Sequence, residues 1–416
     1  MKRLVSIFLV FFMTFSLNGC NKKEEKDKNK TTIKMATFYS EKDQGSIYKE
    51  IVKEYEKQNP DVKVELITDF SEETKINETL SQKGDIDIIG LKRTQLIEFS
   101  KSGYLHDLSK IVESGDLTNR LYKICLAYGK YNGKVYGIGD MPNTIELFYN
   151  VDMFKKYGFN EPSDFNELMN LCKKFNSKKI NPITIGAMDG WTLTTLFGMI
   201  TAQTSGITEL TSIYDSDIKS FEKVKGINQA FDLYGKIVSQ GISKDSIDIN
   251  YKQSVDDFIK GKAAMLPAGS WTVNLIEKSK PAGFRYDVFE MPIKFIDNPV
   301  SMVSGTGGQI LSIPSNSKNK DKAEKFLQFL FSEDAQKIIT QKGYFAPLMS
   351  ANVGENKLKS KIKTHLEICD DNSIMIMDNM DEKMTEHTTR VLQEILEGRV
   401  KSSEAWERIL KATFKK

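Results

Sequence analysis

The chain has 416 residues, of which 40% are hydrophobic and 28% are charged, and its formal net charge is +3. This length predicts two or three domains with a large core. The charge balance argues against a nucleic-acid partner, because only seven of the 59 basic residues are arginine, the side chain best suited to phosphate contacts. The cysteines form no CxxC pair, so the sequence supports neither a disulfide scaffold nor a zinc site, and we expect no metal and no cofactor.

The N-terminus has the layout of a signal peptide. Lys2 and Arg3 precede the uncharged and mainly apolar run 4–17, and small polar residues follow it. At ~1.5 Å per residue, a helix of this run spans roughly 21 Å, which is short of the ~30 Å hydrocarbon core of a membrane. Residues 1–19 are therefore interpreted as a signal peptide that is removed.

Residues 17–20, Leu-Asn-Gly-Cys, look like a bacterial lipobox, in which the cysteine receives a diacylglyceryl group and becomes the first residue of the mature chain. Two acyl chains give stable membrane attachment. The next ten residues are polar and lysine-rich, as is typical of a solvated tether. We expect a lipidated Cys20 and a flexible tether over 20–31 that hold the protein on the outer face of the cell membrane. The alternative is an ordinary cleaved signal peptide with an unmodified cysteine.

Beyond the tether, strand and helix patterns alternate. A strand is predicted over 32–37, a helix with apolar residues every four positions runs through 47–55, and Pro60 follows its end. Second and third strands are predicted over 62–66 and 85–91. The third is nearly all apolar, as expected where both faces of a sheet are covered. These patterns predict an α/β fold with mainly parallel sheets.

A second series of patterned blocks begins near residue 135. Proline and small residues at 140–143, and again at Met291-Pro292, suggest that the chain crosses between two lobes at these points. A short apolar strand over 263–266 precedes a turn and Trp271. Further helices are predicted over 162–175, 227–241, 321–331, 382–397 and 403–413.

Short motifs occur in a distinctive order along nearly the whole chain: YEKQNPDVKV at 55–64, DIDII at 85–89, VYGI at 135–138, LFYN at 147–150, FIKGKAAM at 258–265, GSW at 269–271, and the helix at 323–335. Each motif alone is weak, but their order and spacing are specific. Together they resemble the extracellular solute-binding proteins of sugar type, the maltose-binding-like receptors of ABC importers.

The resemblance implies a two-lobed fold like that of the type II periplasmic binding proteins. Each lobe would be a mainly parallel sheet flanked by helices, and crossing strands would form the hinge. By analogy, lobe one holds 32–141 and 293–341, and lobe two holds 142–292 and 342–416. The ligand would lie in the cleft, the permease subunits of an ABC importer would be partners, and the receptor would be a monomer.

Two tryptophans are the leading candidates for ligand contacts. A sugar presents apolar C–H faces and a rim of hydroxyls, so its site needs flat aromatic surfaces together with polar groups. Trp191 and Trp271 both follow small-residue turns after short apolar strands, where ligands bind in open α/β sheets. Trp271 also falls on a motif of the family. The alternative for each is a core tryptophan.

Polar residues at the corresponding edge of lobe one are the next candidates. The loop after the first strand holds Tyr39 and Glu41, and Asp69 follows the second strand. In the family, the first loop and the end of the third strand often contact ligand, which adds Arg93. The alternative for these residues is an ordinary exposed loop position.

Three further candidates come from the first presumed crossing and from a glycine-rich turn. Asn143 and Glu146 occupy the first crossing, where a side chain can face the cleft. Gly307 either lets the backbone approach a ligand or only shapes a turn. The run Gly305–Gly308 lacks the following Lys-Ser/Thr that a phosphate-binding loop requires.

Enzyme chemistry finds little support in the sequence. The three histidines form neither an HExxH motif nor a close pair, and no Gly-x-Ser-x-Gly motif occurs, so we expect no catalytic residues. The predicted function is a receptor that captures a sugar or an oligosaccharide by cleft closure and delivers it to an ABC importer. The alternatives are a receptor for a peptide or a polyamine, a surface lipoprotein that presents ligand to a sensor, and a hydrolase.

Overall fold

The computed structural model describes residues 30–82, 84–205, 207–293, 303–354 and 356–415. The predicted signal peptide, Cys20 and nearly all of the tether lie outside the described residues. Within these ranges, none of the helices combines the length and the apolar character needed to span a membrane.

The strands of the described chain form two five-stranded sheets and a small hairpin. They are β1 (Thr31–Ala36), β2 (Val62–Ile67), β3 (Ile88–Leu91), β4 (Lys130–Tyr131), β5 (Lys134–Val135), β6 (Ile138–Gly139), β7 (Asn143–Asn150), β8 (Asn181–Ile183), β9 (Ala263–Gly269), β10 (Tyr286–Phe289), β11 (Ser304–Thr306) and β12 (Ile310–Ser312).

Helices cover both sheets. They are α1 (Gln44–Gln58), α2 (Glu73–Ser81), α3 (Arg93–Lys101), α4 (Ser109–Ser114), α5 (Leu117–Arg120), α6 (Lys123–Gly129), α7 (Val151–Tyr157), α8 (Phe165–Ser177), α9 (Trp191–Thr204), α10 (Ile207–Ser212), α11 (Ile218–Phe221), α12 (Ile227–Gly241), α13 (Tyr251–Ile259), α14 (Thr272–Ser279), α15 (Lys320–Leu330), α16 (Glu333–Gln341), α17 (Lys357–Ile368), α18 (Glu382–Glu397) and α19 (Ala405–Thr413).

The first sheet, which defines lobe one, has the order β2-β1-β3-β12-β6. β1 is parallel to β2 and β3, whereas β12 is antiparallel to β3 and β6. Four of its five strands therefore run the same way. β3 begins at Ile88 rather than at residue 85. Just before it, the Asp87 backbone N–H donates to Lys34 O, and the Asp87 carboxylate accepts hydrogen bonds from the Lys34 backbone N–H and from Ser317 Oγ.

The second sheet, which defines lobe two, has the order β10-β7-β9-β8, and β11 also pairs with β7. β7 is antiparallel to β9, β10 and β11, whereas β8 is parallel to β9. Again a single strand is reversed. The α/β character is as predicted, but both sheets are mixed rather than mainly parallel. The first sheet has two parallel and two antiparallel strand pairs, and three of the four pairs in the second sheet are antiparallel. The reversed strands, β12 and β7, adjoin the crossings between the lobes.

The chain passes from lobe one to lobe two between β6 and β7, in residues 140–142, where the sequence suggests a boundary. The predicted return at residue 293 is wrong. β11 still pairs with β7 in the second sheet, and β12 is the next strand in the first sheet. The return therefore lies between Thr306 and Ile310.

The third crossing also lies later than the predicted boundary at residue 342. Leu348 forms a bridge with Leu121, and the Tyr122 backbone N–H donates to Pro347 O, so this segment still belongs with lobe one. α17 then packs against β7 and β10 of lobe two. The chain crosses for the last time between residues 348 and 357.

Candidate ligand-binding site

Three aromatic side chains meet in lobe two. Trp191 lies 4.8 Å from Tyr251 and 6.2 Å from Trp271 between ring centroids, with interplanar angles of 58° and 54°. We call these three residues the aromatic cluster. Trp271 is partly buried, whereas 43% of Trp191 remains exposed, and the neighbouring Met188 is 54% exposed. The cluster therefore offers apolar ring surface to solvent at one edge of the lobe.

The cluster forms where three helices begin. Trp191 is the first residue of α9, Tyr251 is the first of α13, and Trp271 directly precedes α14. Trp271 follows the end of β9 at Gly269, as predicted, and a Cβ at Gly269 would overlap the Trp271 ring, so this turn needs glycine. Trp191, in contrast, lies well after β8 and starts a helix instead of following a strand directly.

Hydrogen bonds fix the rings relative to one another. Trp271 Nε1 donates to Tyr251 Oη at 3.1 Å, and Tyr251 Oη lies 2.6 Å from Thr272 Oγ1. The Tyr251 backbone N–H donates to Asp189 Oδ2 at 2.7 Å, which ties the start of α13 to the loop before Trp191. Burial raises the pKa of Tyr251, so its hydroxyl stays protonated at neutral pH. Sequence analysis missed Tyr251, whose position next to the tryptophans depends on tertiary contacts.

Asn143 connects the first crossing to the aromatic cluster. Its Oδ1 accepts a hydrogen bond from Ser270 Oγ at 2.9 Å, and its Nδ2 donates to Met141 O at 2.8 Å. Ser270 directly precedes Trp271, and its backbone N–H donates to Thr144 O. The structure thus brings Asn143 within one residue of the Trp271 turn.

Glu146 does not share the position of Asn143. Residues three apart on a strand point to opposite faces, so β7 cannot present both side chains to one cleft. Glu146 is buried, and His365 Nδ1 lies 2.6 Å from its Oε2. His365 Nε2 lies 3.1 Å from Glu290 Oε1. The carboxylate of Glu146 therefore anchors α17 to β7 through His365.

The lobe-one candidates have different environments. The Asp69 backbone N–H donates to Tyr39 O at 3.0 Å, so the loops after β1 and β2 meet, while the Asp69 side chain is exposed. Tyr39 Oη donates to Asp140 Oδ1 at 3.1 Å. Glu41 is exposed and pairs with Lys49 Nζ. Asp69 and Glu41 remain accessible, whereas the Tyr39 hydroxyl is bound to the first crossing.

Gly307 and Arg93 lie at the joint between the lobes. Gly307 O accepts a hydrogen bond from the Met141 backbone N–H at 3.2 Å, so the two crossings touch there. The Arg93 guanidinium is buried and donates to Asn379 Oδ1 at 2.8 Å and to Tyr128 O at 2.8 Å. Arg93 thereby joins α3 of lobe one to the segment before α18.

Within the described ranges, no group of three or more His, Cys, Asp or Glu side chains is arranged to hold a metal ion. Cys125, Cys172 and Cys369 are buried free thiols. Burial raises the pKa of all three, which disfavours the reactive thiolate. The three thiols are therefore neither exposed nor readily ionised.

Replacing Tyr251 by phenylalanine keeps the ring but removes the oxygen that binds Trp271 and Thr272. We expect Tyr251→Phe to weaken ligand binding by about 0.5–1.5 kcal/mol, the typical net value of one hydrogen bond. Isothermal titration calorimetry measures the change. Tyr157→Phe, in the same lobe but on α7, is the matched control, and equal losses in both variants would contradict the role given to the Tyr251 hydroxyl.

Comparison with known proteins identifies the class of protein that this fold and site define. Residues 39–337 match the family model described as bacterial extracellular solute-binding protein. Because this match covers more than half of the chain, the protein belongs to that family.

Individual relatives align with this chain over most of its length. The multiple sugar-binding protein of Streptococcus mutans is 25% identical over 369 residues, which cover 86% of this chain and 84% of that protein. The maltooligosaccharide ABC transporter solute-binding lipoprotein of Streptococcus pneumoniae strain R6 is 25% identical over 354 residues, which cover 82% and 79%. The solved apo form of RafE from Streptococcus pneumoniae has a TM-score of 0.73 at 21% identity and covers 92% of this chain and 97% of that one. This likeness confirms the two-lobed α/β fold.

Proposed function

We propose that the protein is a receptor that captures a sugar or an oligosaccharide between its lobes and delivers it to the permease of an ABC importer. The aromatic cluster carries this proposal. Three rings held at fixed angles, with Trp191 exposed, match the apolar C–H faces of a sugar ring. Two relatives whose names specify sugars support the same ligand class.

Capture requires that ligand contact both lobes. The aromatic cluster supplies stacking surface from lobe two, and Asp69 and Glu41 at the edge of lobe one supply carboxylates for hydroxyl groups. Asn143 adds an amide beside the first crossing, and the backbone at Gly307 lies on the second crossing, where it contacts the first. A ligand that binds both lobes stabilises the closed arrangement, whereas one that binds a single lobe shifts nothing.

We further propose that the receptor is a monomer held on the outer face of the membrane by a diacylglyceryl group on Cys20. The lipobox-like residues 17–20 support this, and one relative is named a lipoprotein. Anchoring keeps the receptor near its permease and raises its effective concentration there. A Cys20→Ser variant should leave the membrane fraction, and its retention there would contradict the lipid anchor.

The ligand class is tested with the soluble chain from residue 31 onward. Thermal shift and tryptophan fluorescence are measured against a panel of monosaccharides, oligosaccharides, peptides and polyamines. We expect at least one sugar to raise the melting temperature, because a ligand that binds only the folded state stabilises it. A response to peptides or polyamines with none to any sugar would overturn the proposed ligand class, and cleavage of an oligosaccharide during incubation would indicate a hydrolase instead.

A further inference from the structure

A group of polar side chains, all buried except the partly buried Tyr39, lies where the two lobes meet. Tyr39 Oη donates to Asp140 Oδ1 at 3.1 Å, and Tyr48 Oη donates to Asp140 Oδ2. Thr37 Oγ1 donates to Gln309 Oε1 at 2.8 Å, and the Gln309 backbone N–H donates to Tyr39 Oη at 3.2 Å. We call these five residues the hinge cluster. It includes one residue from the first crossing, Asp140, and one from the second, Gln309.

The surrounding backbone is shaped to this cluster. A Cβ at Gly90 would overlap Gln309 Oε1, and a Cβ at Gly308 would overlap Asp140 Oδ1. Gly308 also has a φ of +79°, a backbone conformation that favours glycine. The Asp140 backbone N–H donates to Gln309 O at 3.1 Å, so the two crossings are bonded to each other beside the carboxylate. The crossings and the cluster therefore form one packed unit.

The Asp140 carboxyl is 2% exposed, and burial raises its pKa to about 7, although hydrogen bonds from Tyr48, Gln309 and Tyr39 oppose this shift. The largest of these effects are burial and hydrogen bonds with uncharged groups. The titratable groups that face Asp140 are Tyr39, Tyr48 and Cys125, and burial raises the pKa of each well above its usual range. Asp140 is therefore the group of this cluster that titrates near neutral pH.

We propose that Asp140 is a positioning residue for ligand capture, which holds the Tyr39 loop against both crossings and makes ligand affinity depend on its protonation. Tyr39 connects the ligand surface of lobe one to the crossings. Its loop contacts Asp69, a proposed ligand residue, and its hydroxyl binds Asp140 on the first crossing. The inference rests on the proposed function only in requiring a solute that closes the lobes. A peptide or a polyamine would serve the test as well as a sugar.

The direction of the pH effect follows from burial. In the structure described, the lobes also touch outside the crossings, where Asn274 Nδ2 donates to Lys342 O at 3.3 Å and Lys101 pairs with Asp215. Burying a neutral carboxyl in this arrangement costs less than burying its anion. Any movement of the crossings that admits water lowers the pKa of Asp140, so proton uptake favours the packed arrangement. A ligand that selects this arrangement binds more tightly below the raised pKa and more weakly as pH rises through about 7.

The test is the pH profile of affinity, measured by calorimetry with the solute that the binding panel identifies. For the wild type, we expect the Kd to rise about three- to tenfold between about pH 6 and pH 8, which corresponds to a pKa difference of up to about one unit between the two arrangements. In Asp140→Asn the profile should be flat. Repeating the wild-type titration near pH 7 in two buffers of different ionisation enthalpy should show proton uptake on binding.

Tyr48→Phe provides a second variant that does not depend on the folding of Asp140→Asn. The Tyr48 hydroxyl lowers the pKa of Asp140, so its removal should move the midpoint of the affinity profile to higher pH. Tyr55→Phe, on the same helix but packed against Phe326, is the matched control and should keep the wild-type midpoint. A wild-type affinity that is independent of pH, or a Tyr48→Phe midpoint equal to that of Tyr55→Phe, would overturn the proposal. A panel in which only peptides bind would overturn the sugar proposal and leave this test in place.

Discussion

Trp271→Ala is expected to weaken sugar binding by roughly 1–3 kcal/mol, because the variant removes a large apolar ring from the contact surface. The ring is already held in place by Tyr251 Oη and by the close approach of Gly269, so little conformational freedom is lost when ligand stacks on it. Titration calorimetry gives the change directly, and chemical denaturation checks that the fold is retained.

The three tryptophans allow a matched comparison. Trp406 is buried on α19, where its Nε1 donates to Phe221 O at 3.1 Å, far in sequence from all three rings of the aromatic cluster. Trp406→Phe should therefore preserve affinity and the fluorescence response to ligand, whereas Trp191→Ala should reduce both. If Trp271→Ala binds as tightly as the wild type, Trp271 has a structural role only and the aromatic cluster is not the site.

The position of Trp271 was predictable because it depends on local order in the sequence. A short apolar run followed by Gly-Ser-Trp places a ring at the end of a strand, and β9 with its turn has this geometry. Tyr251 was not predictable in the same way. It lies twenty residues before Trp271, and only the packing of α13 beside α14 brings its hydroxyl to the indole.

The crossings show a second limit of sequence patterns. Asn143 and Glu146 are near neighbours in a run that fits a crossing, but strand geometry separates their side chains onto opposite faces. β11 is only three residues long, and its pairing with β7 carries no hydrophobic periodicity that would assign it to the second sheet. Similarly, α9 is buried on nearly all sides, so its sequence lacks the polar face by which α12 or α18 is recognised.

Buried polar contacts were the least predictable part of the structure. In the sequence, Asp140 is only part of a predicted lobe boundary. Nothing near His365 in the sequence indicates which residue it would bind. The tyrosine hydroxyls that bind Asp140 lie 92 and 101 residues away in the chain, and the Glu146 carboxylate that binds His365 lies 219 residues away. Such pairings depend on three-dimensional packing, and a single sequence contains no periodic signal for them.

His365→Leu should destabilise the fold by about 3–5 kcal/mol, the cost of leaving a buried charge without its partner. Glu146 is 1% exposed and would lose the imidazole that lies 2.6 Å away, while the more exposed Glu290 can be solvated. Urea denaturation near neutral pH measures this change. A double variant, His365→Leu with Glu146→Leu, should recover part of the lost stability because it removes the stranded carboxylate as well.

The same contact predicts a pH dependence of stability. Burial lowers the pKa of His365, but hydrogen bonds and charges from Glu146 and Glu290 outweigh this effect and raise it to about 9. The stabilisation that protonated His365 gives the fold is therefore complete below about pH 6.5, the ordinary pKa of histidine. It is lost as pH rises through about 9. The His365 contact lowers the pKa of Glu290 to about 2. Glu290 therefore stabilises the fold when the pH is above 4.5, the ordinary pKa of a glutamate, and this stabilisation is lost as pH falls toward 2.

His106 is the control for both effects. Its Nε2 lies 2.8 Å from Glu324 Oε1, but about a third of each side chain is exposed, so His106→Leu should change the free energy of unfolding by less than about 1 kcal/mol. Between about pH 6.5 and 9, the wild type and His106→Leu should lose stability in parallel, while His365→Leu should follow a flatter curve. Equal slopes for all three proteins would show that His365 is not charged in the folded chain, and α17 would then be held to β7 by packing rather than by an ion pair.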